Sequence, residues 1–274
     1  MERSGHYPIE RRAGEIGRLL TQAAAIEFDA GVMLDRIGVA PGWRCLDLGC
    51  GPVGIVELLS LRAGPTGRVV GLDSDAVFLE HARSLARSRG LENVEFVRGD
   101  AYRTGLPRGS FDLVHARFLA STAGQPEALL AEAMALARPG AIVALQEPDI
   151  STLKCYPPHP AWDRLVRLCE QVFGLAGGDV SLAQRLYQLA RHAGLEAVRY
   201  RPFLAGFSAG DPMTDYLPAT VESLRGMIGR HRLIEERDLD ATLAACRSHL
   251  ADVDTVFTYP TVAQVWGRSP AGRR

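Results

Sequence analysis

Three carboxylates and two glycines have the types and the spacing to hold a nucleotide-like ligand. Asp47 precedes Gly49 and Gly51 in Leu-Asp-Leu-Gly-Cys-Gly-Pro-Val-Gly, residues 46–54. Glycine has no Cβ, so the chain can turn tightly there and approach a ligand closely. Asp73 follows Gly51 by 22 residues, in Val-Gly-Leu-Asp-Ser-Asp, where a carboxylate can accept from both hydroxyls of a ribose. Asp100, in Gly-Asp-Ala, can take the amino group of an adenine. Asp47 would repel a pyrophosphate and suits a ligand that is cationic at its reactive end. His115, ending an apolar stretch, and Glu147, in Gln-Glu-Pro-Asp, are candidates for a general base. Asp149 in the same run serves equally well as a helix cap.

The elements that must position these groups alternate. Arg44–Leu48 reads as a strand, 55–61 as a helix, 68–72 as a strand and 76–89 as a helix. Strands at 94–98, 111–116 and 141–146 continue the series, with a helix at 126–137 before the last. Strands interleaved with helices predict a parallel sheet with right-handed crossovers. Asp47, Asp73 and Asp100 then all fall at strand ends on one edge, where open α/β sheets bind ligands. Before this core, residues 9–37 read as one or two helices. After it, helices are expected at 162–173 and 181–193, a long strand at 196–207, and two or three helices within 212–250. A last strand, 253–266, is interrupted by Pro260. The expected organisation is N-terminal helices acting as a lid over 1–40 and a core over 41–150. Residues 151–274 complete the sheet, with a helical cap inserted at about 208–250.

Composition excludes some partners. Charged residues make up 23% of the 274 residues, and the net charge is −1. No basic stripe marks a nucleic-acid surface. No apolar run reaches the length of a membrane span and the N-terminus has no leader-like segment, so the expectation is a cytoplasmic protein away from membranes. The five cysteines show no metal-ligand spacing, and no metal is expected.

With these motifs in order, the chain resembles the class I S-adenosylmethionine-dependent methyltransferases. Within them it is similar to the small-molecule group that includes quinone C-methyltransferases and natural-product enzymes. The resemblance covers about residues 40–150, and Gln264-Val-Trp-Gly fits the group's last strand. It implies a Rossmann-like, seven-stranded, mostly parallel sheet with helices on both faces, and S-adenosylmethionine as cofactor. Residue by residue, it implies that Asp47, Gly49 and Gly51 face the methionine part. Asp73 and Ser74 would hold the ribose, Asp100 and Ala101 would flank the adenine, and His115 and Ala116 would close over the cofactor. The family pattern has a third glycine where Val53 stands; here Gly54 follows one residue later, and the turn is still expected to open a helix.

The expected reaction transfers the cofactor's methyl to an O, C or N atom of a small apolar or aromatic acceptor, with His115 the first choice of base and Glu147 the second. A natural-product intermediate leads and a quinone precursor comes next. No Asn/Asp-Pro-Pro-Tyr/Phe run follows the fourth strand, which argues against base methylation in nucleic acids, and no cysteine trio suggests arsenic. Tyr156, Trp162, Phe207, Met213 and Tyr216 are candidate pocket aromatics or core. Two other classes stay open: a cofactor-binding protein that cyclises its substrate without methylation, and a regulatory partner with a degenerate site, for which Val53 is the hint. A homodimer also stays open.

Overall fold

The computed structural model describes residues 14–271. Two helices lead, α1 (Glu15–Ala25) and α2 (Glu27–Ile37). The expected start at Ile9 lies outside the described residues. The core follows as β1 (Arg44–Leu48), α3 (Val56–Ala63), β2 (Arg68–Asp73), α4 (Ala76–Ser88), β3 (Val94–Arg98) and β4 (Phe111–Arg117). It continues through α5 (Ala120–Ala123), α6 (Pro126–Leu136) and β5 (Ala137–Asp149). Next come β6 (Cys155–Tyr156), α7 (Pro160–Leu175), α8 (Ala183–His192), β7 (Glu196–Phe203) and β8 (Gly206–Ser208). Helices α9 (Tyr216–Ser223), α10 (Arg225–Arg230) and α11 (Glu236–Leu250) precede β9 (Val256–Thr258) and β10 (Thr261–Arg268).

Seven strands form one sheet in the order β3-β2-β1-β4-β5-β10-β7, with β10 antiparallel to both neighbours. The central strands are apolar on both faces because helices cover both. Leu46, Val70, Val114 and Val143 pack under α6 and α8, while Cys45, Val69, Leu113 and Ala144 pack under α2, α3 and α4. The strand order reverses between β1 and β4, which opens a crevice at their carboxyl ends. Asp75 caps α4 by accepting from the Val77 amide at 2.8 Å, so the chain leaves β2 and enters the helix without an orphaned donor there.

Two long strands expected from the pattern are each divided. Residues 196–207 split at Leu204-Ala205: β7 stays in the main sheet, and β8 pairs with β9 in a separate three-stranded sheet, β6-β9-β8. Residues 253–266 split at Tyr259-Pro260 in the same way. A chain that passes from one sheet to the next keeps its β pattern across the crossing, so periodicity alone does not reveal the break. The small sheet and helices α7, α9, α10 and α11 enclose a third apolar core around Trp162, Leu165, Val172, Val221, Leu243 and Phe257. The cap therefore draws on α7 as well as on the segment 208–250.

Candidate functional site

A cavity of about 1110 Å³ runs from the carboxyl ends of β1 and β2 to the interior of the cap. One half is built by the core. The turn after β1 carries Gly49, Gly51 and Gly54, all with positive φ. A Cβ at Gly51 would meet nothing within 4 Å, so this side of the turn is open to the cavity. A Cβ at Gly54 would land on Asp47 Oδ2 and 2.8 Å from the Cys50 carbonyl, so this position is closed to any side chain. Gly54 is thus required by its packing against Asp47 and Cys50, one residue after Val53, which itself lines the cavity.

Asp47 holds that turn. It is 2% exposed; its Oδ2 accepts from the Ile55 amide at 3.1 Å, and its Oδ1 lies 2.7 Å from His115 Nδ1. Asp73 ties the same turn to β2: Oδ2 accepts from the Gly51 amide and Oδ1 from the Asp75 amide, each at 2.8 Å. Burial raises the Asp73 carboxyl above its ordinary value, against the lowering effect of those two donors. Asp73, Ser74, Asp100 and Ala101 all line this half, and Asp100 Oδ1 accepts from the Tyr102 amide at 2.9 Å. The structure thus brings Asp47, Gly49, Gly51, Asp73, Ser74, Asp100 and Ala101 together around one cavity.

His115, Ala116 and Glu147 are elsewhere, which corrects the expectation that they reach the cofactor or the acceptor. His115 is 0% exposed with both ring nitrogens engaged: Nδ1 to Asp47, and Nε2 to Gln146 Nε2 at 2.9 Å. Gln146 Oε1 accepts from Gln264 Nε2 at 2.9 Å, and Gln264 Oε1 accepts from Arg201 at 2.8 Å. Arg201 in turn pairs with Asp29 of α2. This polar ladder crosses β1, β4, β5, β10 and β7, and its hydrogen bonds assign the tautomer: Gln146 donates to Nε2, and Nδ1–H donates to Asp47. Ala116 is 1% exposed and packs in the sheet's apolar layer. Glu147 is 0% exposed and accepts from the amides of Ala120 and Ser121 at 3.0 and 3.1 Å, capping α5; burial pushes its carboxyl up to about 7.

The positions that do reach the cavity come immediately after, because β4 extends through Arg117 and the chain turns at Phe118, φ 55°. Arg117, Phe118 and Leu119 line the cavity. Arg117 donates to the Gly54 carbonyl at 3.1 Å, and burial lowers its guanidinium below the ordinary value. The sequence signal was the one cation in His-Ala-Arg-Phe, beside the histidine that drew attention.

The other half belongs to α1 and the cap. Glu15, Arg18, Leu19, Gln22 and Ala23 recur at helical spacing on the face of α1 that roofs the cavity. Glu15 and Arg18 pair at 2.7 Å. Opposite stand Ile150, Leu153, Phe173, Leu217, Tyr216 and Tyr259. Of the candidate pocket aromatics only Tyr216 lines the cavity. Trp162 donates to the Leu153 carbonyl inside the cap core, Phe207 packs on Phe257, Met213 is buried, and Tyr156 is exposed. Cys169 also faces the cavity, with a thiol that burial pushes up to about 12, so it stays protonated. Among the described residues no group of three or more potential metal ligands occurs, and no helix is long and apolar enough to cross a membrane.

Comparison with known proteins agrees with this geometry. A model described as a methyltransferase domain matches residues 40–194. Demethylmenaquinone methyltransferase of Lactococcus lactis subsp. lactis is 28% identical over 180 residues, 61% of this chain and 71% of that one. Nocamycin O-methyltransferase of Saccharothrix syringae is 33% identical over 129 residues, 46% of each chain. The first curated relatives are matched over 39% to 71% of their own lengths. Among solved structures, the YcgJ protein from Bacillus subtilis superposes with a TM-score of 0.61 at 16% identity, covering 90% of this chain and 100% of that one. The [4+2]-cyclase SpnF gives 0.54 at 19% identity, covering 97% and 88%. Both share the fold. With over half of its length matched by the family model, the chain belongs to the methyltransferase-domain family, the S-adenosylmethionine-dependent methyltransferases of Rossmann-like fold.

Proposed function

We propose that this protein transfers a methyl group from S-adenosylmethionine to an O, C or N atom of a small apolar or aromatic acceptor, of the natural-product type first and a quinone precursor second. The observation that carries the reading is the single cavity lined at one end by Gly51, Asp73 and Asp100 and at the other by the apolar cap. Its volume, about 1110 Å³, exceeds the roughly 300–1,000 Å³ of a site for one small ligand, and so has room for two molecules in contact.

The residues fit the cofactor. The open side of Gly51 admits close approach, and Asp73 and Asp100 are acceptors for ribose hydroxyls and an adenine amine. Arg117 is the cation beside the Gly-rich turn and suits the methionine carboxylate. Asp47 acts one step back, by fixing the turn that presents these groups. When bound, the cofactor supplies an already activated methyl on a sulfonium. The chain's own contribution is then alignment and exclusion of water, with α1 as roof and Arg117 and the cap as walls. Neither His115 nor Glu147 has an open path to an acceptor proton, so an acceptor that is already nucleophilic in the site suits this cavity.

Names of relatives support the acceptor class: one acts on demethylmenaquinone and another is named for nocamycin. The test is transfer of tritiated methyl from the cofactor to a panel of phenols, enols, quinols and amines, run beside calorimetry with S-adenosylhomocysteine. Micromolar affinity and labelled product support the reading. Affinity without label in any acceptor, alongside cyclisation of a substrate, would move the protein to the cyclase reading, for which likeness to SpnF speaks only at the level of fold. Weak binding of S-adenosylhomocysteine would favour a degenerate site.

A further inference from the structure

Where the cap meets the cofactor half, two side chains of α1 fix the direction of one hydroxyl. Tyr259 lies on the strap between β9 and β10, anchored by its amide donating to the Ala205 carbonyl at 2.8 Å and followed by Pro260. Its side chain is buried, tilted against Tyr216 with ring centroids 5.0 Å apart, and both line the cavity. Gln22 Nε2, from α1, donates to the Tyr259 oxygen at 2.6 Å. Arg18 donates to the other end of that amide, Gln22 Oε1, at 3.4 Å, which sets the amide's orientation. A phenol oxygen has two acceptor sites and one proton. Gln22 takes one acceptor site, and no described residue receives the proton in a hydrogen bond, which leaves it for whatever occupies the cavity.

The surroundings narrow what that occupant is. Arg117, which donates to the Gly54 carbonyl at 3.1 Å, lines the same cavity as Tyr259. The cap half carries the guanidiniums of Arg18 and Arg230, and the one carboxylate lining it, Glu15, is committed to Arg18 and to the Ser223 hydroxyl. An amine or ammonium would find no uncommitted carboxylate among the described residues that line the cap half, and would face Arg18 and Arg230. An oxygen anion would find a donor already aimed at it. Since the buried His115 and Glu147 cannot collect a proton from the acceptor, a group acidic enough to ionise on its own is the match.

We infer that Tyr259 is the specificity-determining donor of the acceptor pocket, oriented by Gln22, and that it selects a phenol or enol bound as its anion. The acceptor's proton leaves to bulk water on binding, and the Tyr259 hydrogen bond takes its place at the oxygen. This rests on the methyltransferase reading of the same cavity.

The test uses the full chain saturated with S-adenosylhomocysteine. It is titrated with 4-nitrophenol, whose visible absorbance reports the anion, and with 4-nitroaniline, a donor of the same shape. The wild type is expected to bind the nitrophenolate and to make nitrophenol ionise at lower pH than in free solution. Tyr259→Phe keeps the ring and removes the donor. It should weaken the anion by about tenfold or more, the scale of a hydrogen bond to a charged group, with 4-nitroaniline and S-adenosylhomocysteine affinities held within about twofold. Gln22→Met, which loosens the hydroxyl without removing it, should give a smaller loss. Equal nitrophenolate affinity in wild type and Tyr259→Phe, tighter binding of the aniline, or no binding of the anion to the wild type would each overturn the inference alone. Failure of S-adenosylhomocysteine to bind would instead overturn the cofactor reading, and the inference with it.

Discussion

The two halves of the cavity carry opposite charge. Around the Gly-rich turn the charged lining is Asp47, Asp73, Asp75 and Asp100 against Arg103 and Arg117; toward the cap it is Arg18 and Arg230 against Glu15. The acidic half is local in origin, since each carboxylate ends or follows a parallel strand, and register alone sets the spacing. The cap half is assembled from α1, the end of β4, α9, α10 and the strap at Tyr259, segments separated by up to 237 residues. A ligand with positive charge is matched at one end and one with negative charge at the other. The difference separates a nucleotide end that strand register builds from an acceptor end that tertiary packing must assemble.

The sharpest way to break this comparison is to ask whether His115 belongs to either half. Its place in the ladder predicts a structural residue. His115→Ala leaves Asp47 buried without its ring partner, opens a void and orphans the Gln146 donor, so unfolding free energy should fall by about 3–4 kcal/mol in a urea titration. Normal stability with turnover abolished would instead return His115 to the chemistry and redraw the boundary.

Glu147 gives the next effect, read through pH. Its carboxyl is raised from 4.5 to about 7 by burial. A raised folded-state value means the native protein holds this proton more tightly than the unfolded chain does. The contribution is fully present below about pH 4.5 and is lost as pH rises through about 7. Relative to Glu147→Gln, the wild type should therefore lose stability on the order of 3 kcal/mol between those limits. The comparison is best made by denaturant midpoints at several pH values. Parallel curves for the two proteins would show that Glu147 is not the buried acid its contacts indicate.

The two halves also differ in how legible they were. β1 and β3 have the bounds expected from their patterns, Arg44–Leu48 and Val94–Arg98, because a strand of a covered parallel sheet leaves a compact apolar run between polar turns. The cluster of Asp47, Asp73 and Asp100 followed from those strands. His115 was misplaced for a local reason. It is the register partner of Asp47 across β1 and β4, so it turns to its neighbour inside the sheet, and the first residues free to face the crevice are Arg117 and Phe118. Tyr259 had a weaker signal, a Tyr-Pro break inside an apparent strand. Nothing in the order of residues says that this tyrosine meets Gln22, because that meeting depends on how α1 lies across the cap.

Within the acidic half the carboxylates should rank by what holds them. Asp73 is fixed by two backbone donors and buried enough to have its carboxyl raised. Asp73→Ala should weaken S-adenosylhomocysteine by about 2 kcal/mol in calorimetry, the range for hydrogen bonds to a charged group. Unchanged affinity would remove Asp73 from the ribose. Asp100 is exposed at the rim, where its Oδ1 accepts from the Tyr102 amide, so water competes for whatever it binds. Asp100→Asn, which keeps an acceptor oxygen and loses the charge, should cost less, about 0.5–1 kcal/mol, as for an ordinary hydrogen bond in contact with solvent. A loss from Asp100→Asn as large as that from Asp73→Ala would mean that the rim closes over the adenine when the ligand binds. The acidic half would then be as dependent on assembly as the cap.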